Sequence, residues 1–436
     1  MTDLNQDPPL TAAAADADAP AEVETTPLVA PAGGVPPIID TPEALARAID
    51  QFAAGTGPVA ADAERASGFR YGQATYLVQF KRRGAGLILI DTAALPDLSA
   101  FSAALGDVEW VFHAASQDLP GMHDLGMYPA SIFDTELGAR LLGWPKVGLA
   151  AVVERELGLT LAKEHSAQDW STRPLPPSWL TYAALDVEVL LELRDAMYAH
   201  LEAAGKLEWA KQEFEAVRLA PPAEPREDPW RRTNGSHAVR DQRGLAIVRS
   251  LWEARDQEAR KRDTSPGRVL RDAAIVAAAL AKPTSVDELL ALREWQSKGN
   301  KRRVPQWYPA IAEAMQLPDK ALPSKRGPRI DGPPQPRMWA DKRPDAHARL
   351  THAREGMGEL SEELDIPAEN VLQPDALRRL CWDYDGGGEP SIRSFLAERG
   401  ARPWQIDVTT PMLLAAFEAA TEEILAQDAK ATDPSA

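Results

Sequence analysis

The chain has 436 residues, 44% apolar and 26% charged, and its 48 basic and 65 acidic side chains leave a formal charge of −17. At roughly 100–200 residues per domain this makes two to four domains able to bury real cores, which excludes a minimal peptide module and a wholly disordered chain. A lone cysteine, Cys381, excludes an intramolecular disulfide and fits a reducing cytoplasm; no apolar run approaches the ~18–20 residues that span a bilayer, and the amino terminus, with Arg47 as its first basic residue, lacks the start of a secretory signal.

Residues 1–36 are mostly Ala, Pro, Asp, Glu and Thr, a composition that predicts a disordered acidic tail. Thr41-Pro42-Glu43 is an N-cap followed by Pro at the first helical position, opening an amphipathic helix to about Phe52. Three strand-like runs follow, Pro58–Asp62, Ala74–Phe80 and Leu87–Ile90, separated by Gly or basic turns as in a meander. Helix and strand patterns then alternate, with Val108–His113 as a strand ahead of a helix that Asp118 enters. Strands first and alternation afterwards predict a mixed sheet covered by helices. From Thr135 to about Leu219 the pattern is helical, broken by a Trp170–Pro177 loop. Residues 221–237 read as a proline-rich linker, 238–317 as a helical block, 318–345 as a basic proline-rich linker, 346–427 as a last helical block and 428–436 as a tail. No internal repeat at a fixed period emerges.

Charge is divided along this plan. Residues 1–225 carry 15 basic against 32 acidic side chains, 226–343 carry 25 against 15, and 344–436 carry 8 against 18, giving −17, +10 and −10. Exposed charges act over only about 8–10 Å at physiological salt, so the basic middle is able to meet phosphate although the whole chain is acidic. Its densest cluster is Lys298, Lys301, Arg302 and Arg303, read either as a solvated face or as a nucleic-acid contact.

Three short motifs carry chemistry. Asp62 and Glu64, two apart at the end of an apolar strand, project from one face of a sheet and can grip a hard cation. Asp118 stands where a strand gives way to a helix. Tyr182 and Asp186, four apart in a helix, share one face. Each alone is compatible with a solvated strand end, a dipole-complementing acid or an ordinary polar face. In this order they resemble the three exonuclease motifs of the DEDD superfamily in its tyrosine subtype. The words Ala74-Thr75-Tyr76-Leu77-Val78-Gln79, Phe112-His113-Ala114, Phe133-Asp134-Thr135-Glu136 and Asp169-Trp170-Ser171-Thr172-Arg173-Pro174-Leu175 sharpen the resemblance to the ribonuclease D family over about residues 40–215.

The resemblance implies an α/β ribonuclease H-like exonuclease domain over 37–220, a mixed sheet with flanking helices, and removal of nucleotides from RNA 3′ ends, tRNA precursors among the expected substrates. Its chemistry requires two divalent metal ions, Mg²⁺ or Mn²⁺, to activate water and neutralise charge. Asp62 is expected to bridge both, Glu64 and Asp186 to complete the one that holds the nucleophilic water, and Asp118 to reach the other through water. Tyr182 is expected to orient or deprotonate that water. His113 is either a contact to the terminal nucleotide or a satisfied structural histidine. Lys163 and Arg173 are candidate phosphate contacts, Arg173 alternatively a brace for its loop. Trp170 is expected to be a packing anchor and Asp134 a helix cap, and His165, His200 and Cys381 do not form a zinc-ligand spacing.

The middle block resembles an HRDC domain through Leu251–Asp256, Arg260–Asp263, Ser265-Pro266, Val269-Leu270 and Lys282-Pro283-Thr284 with Glu288-Leu289. The resemblance implies nucleic-acid binding. The last block, with Asn370–Leu380, resembles a diverged second HRDC-like domain, and its acidity points to packing rather than RNA binding. The fold class expected is therefore an α/β exonuclease domain followed by all-α HRDC and HRDC-like helical domains. Two other functions remain open on sequence alone: a catalytically silent nucleic-acid-binding protein, and an exonuclease acting mainly on DNA. No membrane partner and no obligatory protein partner is expected.

Overall fold

The computed structural model describes residues 25–161, 167–327 and 332–432. The strands are β1 (Thr26–Leu28), β2 (Ile38–Ile39), β3 (Thr56–Arg65), β4 (Thr75–Arg83), β5 (Gly86–Asp91), β6 (Glu109–Phe112), β7 (Ser131–Asp134) and β8 (Leu159–Leu161). Six of them form one mixed sheet in the order β2-β5-β4-β3-β6-β7. β3, β4 and β5 pair antiparallel, while β2, β6 and β7 add in parallel. The first helices are α1 (Pro42–Ala53), α2 (Ser99–Leu105), α3 (Leu119–Asp124), α4 (Thr135–Leu141), α5 (Leu149–Leu157), α6 (Pro177–Glu188), α7 (Leu190–Ala203) and α8 (Leu207–Arg218). α1 starts as expected: the Thr41 hydroxyl accepts from the Ala44 N–H and Pro42 opens the first turn.

Both faces of the sheet are covered, and strand alternation sorts the residues between them. Val59, Ala61 and Ala63 of β3 and Val78 and Phe80 of β4 join the main core with Phe52, Phe101 and Trp110. The intervening residues turn the other way: Leu77 packs with Leu89, Trp170, Leu175, Ala183 and Ala184 under α6. Asp62 and Glu64 have the parity of that second face, and in the β3/β4 register they stand opposite Gln79 and Leu77. Two small residues, Ala183 and Ala184, are fully buried where α6 meets the sheet.

The next unit contains α9 (Gln242–Lys261), α10 (Pro266–Val269), α11 (Asp272–Ala281), α12 (Val286–Ala291) and α13 (Lys298–Gln316) around a separate core of Ile247, Leu251, Ile275, Trp295 and Trp307. It touches the first domain at the loop after β3. The Ser265 N–H donates to the Phe69 carbonyl (2.9 Å), Arg268 donates to the Gly68 carbonyl (2.8 Å), and Tyr71 donates to Asp256 (2.9 Å). The last unit, α14 (Trp339–Lys342), α15 (Pro344–Leu364), α16 (Ala368–Val371), α17 (Pro374–Asp383), α18 (Gly388–Glu398) and α19 (Pro403–Thr432), has no core of its own. Its apolar residues join the core of the exonuclease domain. Trp404 stacks on Trp209 (4.8 Å between ring centroids) and donates to Glu213 (2.8 Å), which is also held by Arg402.

Four expectations need correction. Residues 25–36 are not a free tail: β1 pairs in parallel with β8, and the Ala32 N–H donates to Glu188 (3.1 Å). Pairing satisfies the backbone of a segment whose composition predicts none, and its partner strand, Leu159–Leu161, falls inside a region read as helical. The helix bearing Tyr182 does not continue to Glu202. It closes at Glu188, where Lys81 reaches its last carboxylate (3.2 Å), and α7 begins beyond Val189. Finally, both linkers hold a buried anchor: Trp230 belongs to the middle core and Trp339 to the shared core. Residues 1–24, the rest of the expected tail, lie outside the described residues.

Candidate active site

Each acidic residue reaches the site for a local reason. Asp62 and Glu64 sit on the α6 side of β3 because they alternate with Ala61 and Ala63 of the core. Asp118 follows a sharp turn after β6, in which Ala114 has a left-handed backbone (φ 65°). That turn is held by Asp134, whose carboxylate accepts the N–H groups of Ala114 (3.0 Å) and Ala115 (2.8 Å) as well as those of Glu136 (2.9 Å) and Leu137 (3.2 Å) at the start of α4. The expected helix cap therefore also fixes the segment that delivers Asp118. Beyond Asp118, Gly121 lets α3 pass close to β4; a Cβ there would stand 2.2 Å from the Thr75 hydroxyl. Tyr182 and Asp186 lie one turn apart on α6, and the phenol donates to the Asp186 carboxylate.

These five residues line one open cleft of ≈ 590 Å³, together with His113, Gln117, Glu136 and the rim residues Gly68 and Phe69. Asp62, Glu64 and Asp186 each offer a carboxylate oxygen, and these atoms lie within 4.8 Å of one another. Asp118 lines the same cleft outside that tight group. Burial and mutual repulsion oppose ionisation throughout. Burial pushes the Asp62 carboxyl up to about 6, partly offset by the Ala63 N–H and Arg65. Burial, then the neighbouring carboxylates, pushes Glu64, Asp118 and Asp186 well above their ordinary values. Burial and the charges of Asp186, Glu64 and Asp62 also push the Tyr182 phenol up, so it stays protonated. Such a set of hard oxygen donors, crowded and poorly compensated, fits divalent cations.

The remaining residues separate clearly. His113 lines the cleft, its Nδ1 shares a hydrogen bond with the Thr135 hydroxyl (2.9 Å), and burial lowers its pKa to about 4, so the ring is neutral. Arg173 is not a phosphate contact. Its five donors meet Asp91 (2.7 and 2.6 Å) and the carbonyls of Trp170, Thr172 and Tyr76, which makes it the brace of its loop. Trp170 is fully buried against Trp179 and Tyr182, an anchor as expected. Lys163 and His165 lie outside the described residues. Lys298, Lys301, Arg302 and Arg303 stand in the first turns of α13 and are not among the residues that line the cleft. Sequence reading missed Gln79, fully buried on β4 with its amide donating to Asp62. Its signal was a polar residue inside the apolar run Leu77-Val78-Gln79-Phe80.

Comparison with known proteins agrees with this geometry. The family described as 3′-5′ exonuclease matches residues 36–202, HRDC matches 244–311, and a 3′ to 5′ exonuclease C-terminal domain matches 332–417. Ribonuclease D of Acidiphilium cryptum is 31% identical over 392 residues, 86% of this chain and 97% of that protein. Ribonuclease D of Gluconacetobacter diazotrophicus is 34% identical over 257 residues, 56% and 64% of the two chains. Among solved structures, a Bifidobacterium adolescentis protein superposes with a TM-score of 0.82 at 40% identity, covering 91% of this chain and all of that one. Escherichia coli RNase D superposes at 0.63 and 27%, covering 89% and 98%. Fold and cleft thus define a 3′→5′ exonuclease carrying a helical HRDC unit. The chain belongs to the ribonuclease D family and is a hydrolytic 3′→5′ exoribonuclease.

Proposed function

We propose that this chain trims structured RNA in the cytoplasm, tRNA precursors among its substrates, releasing nucleoside 5′-monophosphates one at a time, and that Asp62, Glu64, Asp118 and Asp186 hold two ions of Mg²⁺ or Mn²⁺. The observation that carries the reading is the trio Asp62, Glu64 and Asp186, with carboxylate oxygens within 4.8 Å of one another in an open cleft. Carboxylate oxygens suit both cations. When bound, such ions activate the attacking water and neutralise charge on the attacking and leaving oxygens. Asp62, whose charge acts on Glu64, Asp118 and Asp186 alike, suits the bridging position. Glu64 and Asp186 would hold one ion, and Asp118, set apart from the tight group, would help to hold the other.

Tyr182 orients the attacking water. Its phenol donates its one proton to Asp186, which leaves the phenolic oxygen to accept from that water. His113, neutral at the cleft wall, contacts the terminal nucleotide. The cluster Lys298, Lys301, Arg302 and Arg303 holds upstream phosphates on the HRDC unit. Support for a structured substrate comes from the E. coli relative, described as an exoribonuclease involved in structured RNA processing.

The test is degradation of a 5′-labelled tRNA precursor and of an unstructured RNA with Mg²⁺ or Mn²⁺, beside EDTA, an Asp62→Ala variant and the matching DNA. A ladder shortening from the 3′ end, with 5′-monophosphate products and no products in the EDTA and variant lanes, is expected. An intact precursor beside degraded unstructured RNA overturns the substrate assignment, and equal cleavage by Asp62→Ala overturns the site.

A further inference from the structure

We propose that Gln79 is a positioning residue for Asp62, holding that carboxylate in the orientation a divalent cation requires. The inference rests on Asp62 as a metal ligand and extends that reading to a residue outside the four carboxylates and Tyr182. Gln79 stands directly opposite Asp62 in the antiparallel register of β3 and β4, so both side chains leave the sheet on the same face. It is fully buried. Its Nε2 donates to Asp62 Oδ2, while its Oε1 meets no donor among the described residues.

The neighbours show what stability alone would select here. Leu77, two residues earlier on β4, and Leu89, the register partner of Gln79 on β5, are fully buried apolar side chains packed under α6. A leucine at position 79 would extend that layer and leave no orphaned oxygen. An amide in its place carries a desolvation penalty that packing does not recover. The reversed amide orientation would set Oε1 against the carboxylate, so only the observed one forms a bond. An N–H donor on one oxygen fixes the rotamer of Asp62 and leaves the other oxygen to a cation. Carboxylates that ligate metals characteristically depend on such partners.

The experiment is calorimetric titration of Mn²⁺ into the full-length protein, comparing wild type with Gln79→Leu and the more adaptable Gln79→Met, beside thermal melts without metal. Expected are Mn²⁺ affinities weakened roughly 10–100-fold in both variants, metal-free melting temperatures no lower than wild type, an unchanged KM for 5′-labelled RNA, and a kcat that recovers as Mn²⁺ is raised. A merely structural glutamine would instead lower melting temperature and affinity together, with no recovery by metal. Wild-type affinity in both variants, a joint loss of stability and affinity, or failure of both variants to fold overturns the proposal. Absence of Mn²⁺ binding by the wild type overturns the metal-site reading on which it rests, and so the two failures are distinguishable.

Discussion

Asp62 is half-buried among acids, and burial pushes its carboxyl up to about 6 from an ordinary value of 3.8. The folded protein without metal therefore binds the extra proton between those values, and its stability falls as pH rises through that window, because the unfolded chain ionises first. A divalent cation replaces the proton. The gain in melting temperature on adding Mn²⁺ is accordingly expected to be small near pH 5 and large near pH 7.5, with Asp62→Asn flattening the difference. An equal gain at both pH values contradicts the assignment. Tyr182→Phe removes the hydroxyl proposed to orient the water while leaving the carboxylates in place, and a loss of about 10²-fold in kcat with little change in KM is expected. An unchanged kcat removes Tyr182 from the chemistry. At this scale the sequence was informative wherever spacing implies a shared face, as for Asp62 with Glu64 and Tyr182 with Asp186. It marked Gln79 only as a polar residue within an apolar run, because its importance comes from the strand that pairs beside it. Arg173 shows the converse. Its loop word marked it as a candidate, but only the fold reveals Asp91 and three carbonyls occupying its donors.

The element that delivers Asp118 is the turn between β6 and α3, and it depends on Asp134 from β7. Asp134→Ala removes a helix cap and leaves the buried Ala114 and Ala115 N–H groups without their acceptor. Caps contribute about 0.5–2 kcal/mol and each of the two abandoned buried donors about 1–3 kcal/mol, so chemical denaturation is expected to show a loss of roughly 2.5–8 kcal/mol. A loss below about 0.5 kcal/mol shows that the turn holds itself. The strands around this turn were legible from their apolar runs and turn residues. β1 and β8 were not, since each is three residues long and the pair unites segments more than 130 residues apart (Thr26 with Leu159). The break at Val189 was also hidden, because the apolar pattern runs through Leu190 and Leu191 without a proline or glycine to interrupt it.

Across the whole molecule the two helical units stand in different relations to the exonuclease domain. The HRDC unit has its own core and meets the domain at the loop that forms the cleft rim, whereas the C-terminal unit shares the domain's core and is tied to it through Trp209, Glu213, Arg402 and Trp404. Deleting residues 346–436 is therefore expected to lower the melting temperature of the exonuclease domain more than its RNA affinity; a truncated chain of unchanged stability and lost binding contradicts this. The division into blocks was visible in proline content and charge, but the sharing of a core was not, since Trp339 and Trp404 find their partners only in three dimensions. Four carboxylates from β3, α6 and the turn before α3 are proposed to hold two cations. Anomalous diffraction at the manganese edge from crystals soaked in Mn²⁺ tests it most directly. Two peaks in the cleft are predicted, at coordination distances of roughly 2.0–2.3 Å from carboxylate oxygens, both touching Asp62. A cleft without peaks in the soaked crystals, or peaks that avoid Asp62, would contradict it.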